Sequence, residues 1–415
     1  MNKFFFTNNR KKLCNQIENH SIVVLFAGEP VQRTSDQCYP FTPNRNYYYI
    51  TGIEKEKTAC LITKFNGKTE TYLFIERRDS HREKFEGKML EPEEATEISG
   101  IVNVLYIDEL EKKIARLLES NICKIAYLDL ERRRNWSAAL NPSQVFAASI
   151  TKKYPHLNIE NIYHDLCEMR VIKTEGEIER IKKAVEITNL GVRNMMKHAR
   201  PGMMEYELEA YFDFTLKSHG VKAFAFNTIA AAGANAVTLH YEKNNAPIGE
   251  NDMILFDLGA EYKYYASDIS RTFPVSGKFT ERQKVLYNIV LKASDEVIKL
   301  LKPGTPHEDI TKTHKKVVTE ECKKIGLIKE DVEIDKYFLH GSGHYIGLDT
   351  HDVGTTEGVT LKPNMVLTIE PGLYFKDESI GIRIEDVFLI TEDGHEFISK
   401  DIPRTVKEIE EFMKK

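Results

Sequence analysis

Short apolar runs alternate with amphipathic segments between residues 20 and 165 of the chain. Runs rich in β-branched and aromatic residues predict strands at residues 21–27, 47–51, 59–63, 71–76, 102–107 and 124–130. Apolar positions at helical spacing predict helices at residues 109–119 and 142–152. This alternation of strands and helices predicts an α/β domain of modest size.

The pattern changes near residues 163–166, where we predict a boundary between a domain at 1–166 and a domain at 167–415. Just beyond it, Thr174 and Glu177 have the spacing of a capping box, and apolar residues then recur at helical spacing. Further helices are predicted at residues 205–218, 281–301 and 308–324.

Strand-like runs surround these later helices, at residues 253–258, 264–273, 365–370 and 381–391. Helices and antiparallel hairpins are then interleaved, which is the arrangement of an α+β domain. The predicted fold class is therefore α+β, with a smaller α/β domain preceding the larger one.

Composition and charge fit a folded globular protein. The chain has 415 residues, of which 41% are hydrophobic and 29% charged, with a net charge of −5. This composition excludes disordered and fibrous proteins, and no block of like charges predicts a surface for nucleic acid or for an anionic membrane. The six cysteines are scattered without a C-x-x-C pair, which predicts reduced thiols and a cytoplasmic protein. Because no long apolar run is present, neither export nor membrane insertion is expected.

Acidic side chains interrupt the apolar strands, where an unpartnered charge would be costly to bury. Asp257 follows the run 253–256, and Asp268 lies in the run 264–273. A hairpin centred between Tyr262 and Lys263 would place the two aspartates directly opposite each other, with Cβ atoms about 4.5–5.5 Å apart. Two carboxylates that close repel unless a proton or a cation lies between them. Taken singly, each residue could also be a solvated aspartate at a strand end.

Two further carboxylates lie in strand-like runs, one at the end of a run and one within a run. Glu370 follows the run 365–369 and precedes Pro371 and Gly372, so that it lies where a buried strand turns. Glu385 follows Arg383 with one residue between them, and strand alternation places both side chains on one face. An ordinary cross-strand ion pair would explain this second pattern equally well.

Histidines cluster in a glycine-rich segment. His340 and His344 flank the sequence Gly-Ser-Gly, and His351 follows seven residues later. The glycines allow backbone conformations that a Cβ would forbid, so the segment could present its imidazoles inwards. A single histidine of this kind would more often be structural, but three within twelve positions favour a common role.

Four carboxylates and an imidazole can hold two divalent ions. An oxygen-rich set with one nitrogen suits Mn²⁺ best and also accepts Co²⁺, Fe²⁺ or Zn²⁺. A water bridging two such ions becomes a hydroxide nucleophile near neutral pH, so the sequence predicts a metal-dependent hydrolase. The chain contains neither an H-E-x-x-H nor a G-x-S-x-G motif, which disfavours a mononuclear zincin and a serine hydrolase.

The order of these motifs resembles that of the pita-bread metallopeptidases, and within them most of all aminopeptidase P. The resemblance rests on five segments, at residues 256–260, 267–273, 340–344, 369–372 and 383–386. Residues 33–36 and 41–52 also resemble the N-terminal domain of aminopeptidase P, so the resemblance covers nearly the whole chain.

This resemblance implies a creatinase-like N-terminal domain followed by a pita-bread catalytic domain. It implies five ligands of a dinuclear metal centre, with both Asp268 and Glu385 bridging the ions: Asp257, Asp268, His344, Glu370 and Glu385. Glu370 would also take a proton from the bridging water and deliver it to the leaving imino nitrogen.

The resemblance also implies roles for residues around the metal centre. His240 and His351 would contact the substrate and stabilise the intermediate, while His340 would line the pocket for proline. Arg383 would support the metal-site carboxylates and the product-side pocket. Members of the family usually assemble as homodimers or homotetramers.

The substrates implied are peptides with proline in the second position. An Xaa-Pro bond lacks an N–H and has a fixed φ, so it needs a dedicated pocket. Prolidase, which cleaves Xaa-Pro dipeptides, shares the metal motifs and is the principal alternative. Creatine amidinohydrolase lacks the metals, methionine aminopeptidase would leave residues 1–165 unexplained, and a silent peptide-binding module would be expected to have lost ligands.

Overall fold

The computed structural model describes residues 1–119, 122–131 and 139–414. Its chain divides into two compact units, Met1–Met169 and Arg170–Lys415. Within the described ranges, no helix combines the length and the apolar character needed to cross a membrane.

The first unit is built on a mixed sheet whose order, among the described residues, is β4-β3-β2-β1-β5-β6. Antiparallel pairing joins β1, β2 and β3, whereas β4, β5 and β6 pair in parallel with their neighbours. The strands are β1 (Ser21–Phe26), β2 (Ala59–Phe65), β3 (Lys68–Ile75), β4 (Asn103–Tyr106), β5 (Ile125–Leu128) and β6 (Asn158–Asn161).

Helices flank these strands, as expected for an α/β unit. Those up to residue 171 are α1 (Lys3–Gln16), α2 (Arg45–Thr51), α3 (Glu83–Glu86), α4 (Pro92–Ser99), α5 (Leu110–Glu119), α6 (Pro142–Lys153) and α7 (Tyr163–Val171). A core of buried side chains from the sheet and from α5 and α6 includes Val24, Leu61, Phe74, Ile114 and Ile150.

The strand predicted at residues 47–51 is wrong, because this segment forms helix α2. Asn44 caps the helix by accepting a hydrogen bond from the backbone N–H of Tyr47. Gly52 ends it in the left-handed conformation, with φ of +72°. Burial of the tyrosines in the helix, together with the two end signals, outweighs their preference for strands.

The second unit contains several small antiparallel sheets. Their orders are β11-β10-β7, β12-β9-β8, β13-β16-β17 and β14-β15 in the described part of the chain. The strands are β7 (Ala223–Phe224), β8 (Ile229–Ala232), β9 (Met253–Leu258), β10 (Ala260–Tyr262), β11 (Tyr265–Ala266), β12 (Ile269–Pro274), β13 (Val366–Ile369), β14 (Gly372–Phe375), β15 (Ile380–Arg383), β16 (Asp386–Ile390) and β17 (His395–Phe397).

Helices interleave with these sheets, in agreement with the predicted α+β class. They are α8 (Glu175–His198), α9 (Glu205–Ser218), α10 (Glu281–Ile298), α11 (Glu308–Lys324) and α12 (Val406–Met413). The predicted helix start at Thr174 is confirmed, since the Glu177 carboxylate accepts a hydrogen bond from the Thr174 N–H at 2.8 Å.

The predicted register of the β9–β12 hairpin is wrong. Asp257 lies opposite Ser270. Asp268 lies across from Gly259, because Ile269 pairs with Leu258 on one side and Ser267 pairs with Ala260 on the other. The cause is the turn between β10 and β11.

That turn is centred on Lys263 and Tyr264, which adopt φ of +49° and +70°. Such angles are usual for glycine or asparagine in a two-residue hairpin turn. Because neither residue is present, the sequence carried no signal for the true centre.

Candidate active site

Backbone pairing in the second unit brings the predicted metal ligands together from distant parts of the sequence. Asp257 lies in β9, and its partner strand β12 begins immediately after Asp268. Glu385 joins this pair because its N–H donates to the carbonyl of Ser270 at 3.0 Å.

The remaining two ligands, Glu370 and His344, are positioned by β13. Glu370 follows this strand and donates its N–H to the Ser342 carbonyl at 2.9 Å. The N–H of Thr368 donates to the carbonyl of His344, also at 2.9 Å. The glycine-rich segment 340–344 therefore runs beside β13, whose antiparallel neighbour β16 begins immediately after Glu385.

The five side chains form overlapping groups whose ligand atoms lie within 4.8 Å of one another. Asp257, Asp268 and Glu385 form one group, while His344, Glu370 and Glu385 form another. The Nε2 atom of His344 lies 3.4 Å from Asp268 Oδ2 and 3.7 Å from Glu385 Oε1. Since Glu385 belongs to both groups, its position is that of a carboxylate able to bridge two ions.

The electrostatics of this cluster fit the binding of cations. Burial, together with the neighbouring Glu385 and Asp257 carboxylates, raises the pKa of Asp268 well above its usual value. Burial and the Glu385 carboxylate likewise raise the pKa of Glu370 to about 8. Burial alone would lower the pKa of His344, but the neighbouring Asp268 and Glu385 carboxylates raise it well above the ordinary range. The ionised forms of these carboxylates are therefore unfavourable unless a proton or a cation lies between them.

Three oxygen atoms provide a direct test of whether metal ions fit here. Asp257 Oδ1, Asp268 Oδ1 and Glu385 Oε1 are buried and have no hydrogen-bond partner among the described residues. Buried polar atoms are normally satisfied, and carboxylate oxygens are the donors that hard divalent cations prefer. The residues present therefore fit a pair of divalent ions.

Arg383 organises one side of the cluster. Its guanidinium donates to Asp257 Oδ2 at 2.6 Å, to Ser270 Oγ at 2.7 Å and to the hydroxyl of Tyr374 at 2.7 Å. The Ser270 hydroxyl in turn donates to Glu385 Oε2 at 3.0 Å. Arg383 thus orients two of the predicted ligands, one directly and one through a hydroxyl.

Ser270 and Tyr374 were not among the predicted site residues. Ser270 lies opposite Asp257 in the true register, and the incorrect hairpin centre concealed this relation. Tyr374 lies in β14 and bonds to both Arg383 and His340 Nε2, the latter at 2.8 Å. Its proximity to the Glu370-Pro-Gly turn was the only available sequence signal.

The structure brings the other predicted histidines to the same region. The ring centroid of His351 lies 4.3 Å from that of His344. His340 Nδ1 lies 3.5 Å from Glu370 Oε2. Burial, the Arg383 charge and, more weakly, His240 lower the pKa of His340 to about 4. His240 is exposed in the segment after the 3-10 turn Gly233–Val237, close enough for its charge to affect both His340 and His351.

Gly259 permits the close approach of the two strand segments that carry the aspartates. A Cβ at this position would lie 1.8 Å from the carbonyl oxygen of Ser267, which is backbone and cannot rotate away. We expect Gly259→Ala to lower the free energy of unfolding by about 1–3 kcal/mol, because overpacking is destabilising. Urea denaturation of the variant and of the parent measures this difference.

Gly176→Ala is the matched control for this substitution. A Cβ there meets nothing within 4 Å, and the residue lies in α8. Alanine is favoured over glycine in a helix by up to about 1 kcal/mol, so this variant should be at least as stable as the parent. Equal stability of the two variants would contradict the close-approach argument.

Comparisons with known proteins agree with this geometry. Residues 179–392 match the model of metallopeptidase family M24, and residues 6–126 match that of the aminopeptidase P N-terminal domain. The chain is 33% identical to the Xaa-Pro aminopeptidase of Escherichia coli K12, over 98% of this chain and 97% of that protein. It is 31% identical to the human Xaa-Pro dipeptidase, over 98% of this chain and 93% of that protein.

A solved structure is also similar over the whole length. It comes from Bacillus anthracis, carries a provisional aminopeptidase P assignment, and superposes with a TM-score of 0.98 at 50% identity, covering 100% of this chain and 98% of that one. The predicted fold, an aminopeptidase P-type N-terminal domain followed by a pita-bread domain, is confirmed. The chain belongs to metallopeptidase family M24, within its group of Xaa-Pro aminopeptidases.

Proposed function

We propose that this enzyme releases the first residue of peptides with proline in the second position, using a dinuclear centre formed by five ligands: Asp257, Asp268, His344, Glu370 and Glu385. The observation that carries the proposal is the convergence of these side chains around three buried carboxylate oxygens without hydrogen-bond partners among the described residues. Two divalent ions bound there would lower the pKa of a water held between them and polarise the scissile carbonyl. Mn²⁺ suits this donor set best, and Co²⁺, Fe²⁺ and Zn²⁺ also fit it.

Glu370 is suited to move the proton during hydrolysis. Its carboxylate would accept a proton from the attacking water as the oxygen bonds to the carbonyl carbon, and would give it to the imino nitrogen as the C–N bond breaks. The products are a free amino acid and a peptide that begins with proline. His340, beside Glu370, would line the proline pocket, while the exposed His240 and His351 would contact the substrate and stabilise its intermediate.

The second candidate is an Xaa-Pro dipeptidase, because the chain is also similar to the human enzyme of that name. A dipeptide presents a free carboxylate beside the proline ring, and its binding would need an available cation. Arg383 is a poor candidate for this role, since its guanidinium is buried and already forms an ion pair with Asp257. This arrangement favours longer peptides as substrates.

The two candidates make opposite predictions for a pair of substrates. With Mn²⁺ present, we expect a higher kcat/KM for an Arg-Pro-Pro type tripeptide than for an Xaa-Pro dipeptide with the same first residue. Release of the first residue from each peptide can be measured under identical conditions. A strong preference for the dipeptide would favour the dipeptidase, and no hydrolysis of either would favour a silent peptide-binding module.

We also propose a cellular compartment and an oligomeric state for this chain. All six cysteines lie in the described residues and are free thiols, which supports a reducing, cytoplasmic environment. We propose a homodimer or homotetramer, in keeping with the resemblance to aminopeptidase P, with peptides as the partners of the site and neither nucleic acid nor membrane among them.

A further inference from the structure

We propose that Arg170, Lys173 and Asp352 form a buried clamp that positions the imidazoles of His344 and His351. The inference rests on the proposed metal centre, to which His344 belongs. The three residues of this Asp352 clamp act through the loop between the histidines, so they are positioning residues and not catalytic ones.

The clamp joins residues 170–173 to residues 349–352 through charge-assisted hydrogen bonds. Asp352 Oδ2 accepts from Lys173 Nζ at 2.7 Å, and Asp352 Oδ1 accepts from Arg170 Nη2 at 2.5 Å. Lys173 Nζ also donates to the carbonyl of Arg170 at 2.7 Å. The side chains of Lys173 and Asp352 are each 1% exposed, so water screens these contacts little.

The two cations keep the buried carboxylate ionised. Burial by itself would raise the pKa of Asp352, but the charges of Lys173 and Arg170 lower it below the usual value. Removal of the negative charge would leave two buried cations without their common partner, and a buried ion pair with one member removed is strongly destabilised. The clamp therefore fixes the backbone at residue 352.

The backbone of Asp352 is linked to His344 because both bond to the same carbonyl oxygen. The carbonyl oxygen of Tyr345 accepts the N–H of Asp352 at 2.8 Å and lies 2.9 Å from His344 Nδ1. A bond from Nδ1 leaves Nε2 directed at the carboxylates of the site, and such outer bonds orient the imidazole ligands of metals. A shift of Asp352 would therefore alter the acceptor that orients His344.

The same clamp holds His351 from both sides. Arg170 Nη2 bonds to Asp349 as well as to Asp352, each at 2.5 Å, so one guanidinium spans the segment that contains His351. Gly347 allows the loop to fold this tightly, since a Cβ there would lie 2.2 Å from Asp352 Oδ2. The loop is also tied to the strand preceding Asp268, because the N–H of Ala266 donates to the Gly347 carbonyl at 2.8 Å.

The test replaces Asp352 with asparagine, which keeps the shape and removes the charge. We expect Asp352→Asn to weaken Mn²⁺ binding to the metal-free protein, measured by calorimetry, by about 10–100-fold, and to lower kcat at saturating Mn²⁺. Arg170→Lys keeps the charge but replaces the guanidinium, whose Nη2 atom bonds to both aspartates, with an ammonium on a shorter side chain. Arg170→Lys should also weaken Mn²⁺ binding. This variant provides the test if Asp352→Asn does not fold.

Leu216→Ala is the control for a general loss of stability. Leu216 is buried in α9, and its truncation should lower the unfolding temperature while Mn²⁺ affinity stays at the parental value. Parental Mn²⁺ affinity and kcat in Asp352→Asn, or in Arg170→Lys if only that variant folds, would overturn the clamp. Absence of Mn²⁺ binding in the unchanged protein would instead overturn the proposed metal centre on which the clamp depends.

Discussion

Replacing Glu370 with glutamine should lower kcat by about 10²–10⁴-fold, the usual contribution of a positioned general acid or base. Glutamine has the shape of glutamate but cannot accept the proton of an attacking water or deliver one to the leaving nitrogen. Glu370 lies where β13 ends, with Oε2 3.5 Å from His340 Nδ1 and Oε1 3.8 Å from His344 Nε2. It is thus positioned between the metal cluster and the proposed proline pocket.

The measurement is a tripeptide assay at saturating Mn²⁺, so that weaker metal binding by the variant does not limit the rate. Glu378→Gln serves as the matched control, because Glu378 forms a partly exposed ion pair with Arg282 in the same unit. This control should keep nearly parental activity, as exposed ion pairs contribute little. A kcat for Glu370→Gln within tenfold of the parent would contradict the proposed role.

Removal of divalent ions by a chelator should abolish hydrolysis, and Mn²⁺ should restore it. The site has no other source of a nucleophile among its predicted residues, and its carboxylates repel one another without a counter-charge. Burial and the Glu385 and Asp257 carboxylates already raise the pKa of Asp268 well above its usual value. Undiminished turnover after thorough chelation would refute the metal-dependent mechanism.

The effect of Mn²⁺ can also be measured without an activity assay. A ligand that binds only the folded state at 100 times its Kd stabilises that state by about 2.7 kcal/mol per site. We therefore expect Mn²⁺ to raise the free energy of unfolding of the metal-free protein in urea. Glu385→Ala, which removes a carboxylate common to two of the ligand groups, should reduce this gain.

Much of the site could be predicted from the sequence because its chemistry is local. Carboxylates inside apolar runs of sequence, such as Asp257 and Asp268, are costly to bury and so indicate a counter-charge. The glycine-rich segment that bears His344 likewise indicates an unusual backbone next to a functional side chain. Helix α8 was predictable for a similar reason, since Thr174 and Glu177 are only three residues apart.

The remaining features depend on contacts that no local pattern encodes. The exact pairing of β9 with β12 follows from positive φ angles at Lys263 and Tyr264, residues that seldom adopt them. Helix α2 forms because burial and its end signals outweigh the strand preference of its tyrosines. Arg170 and Asp352 are 182 residues apart, so only the folded chain reveals that they form a pair.

The central claim is that five distant side chains form one centre for two cations, and titration of the metal-free protein with Mn²⁺ tests it most directly. We predict binding of two Mn²⁺ ions per chain in the calorimeter, with at least one lost in Glu385→Ala. Binding of no Mn²⁺, or binding that Glu385→Ala leaves unchanged, would contradict the claim.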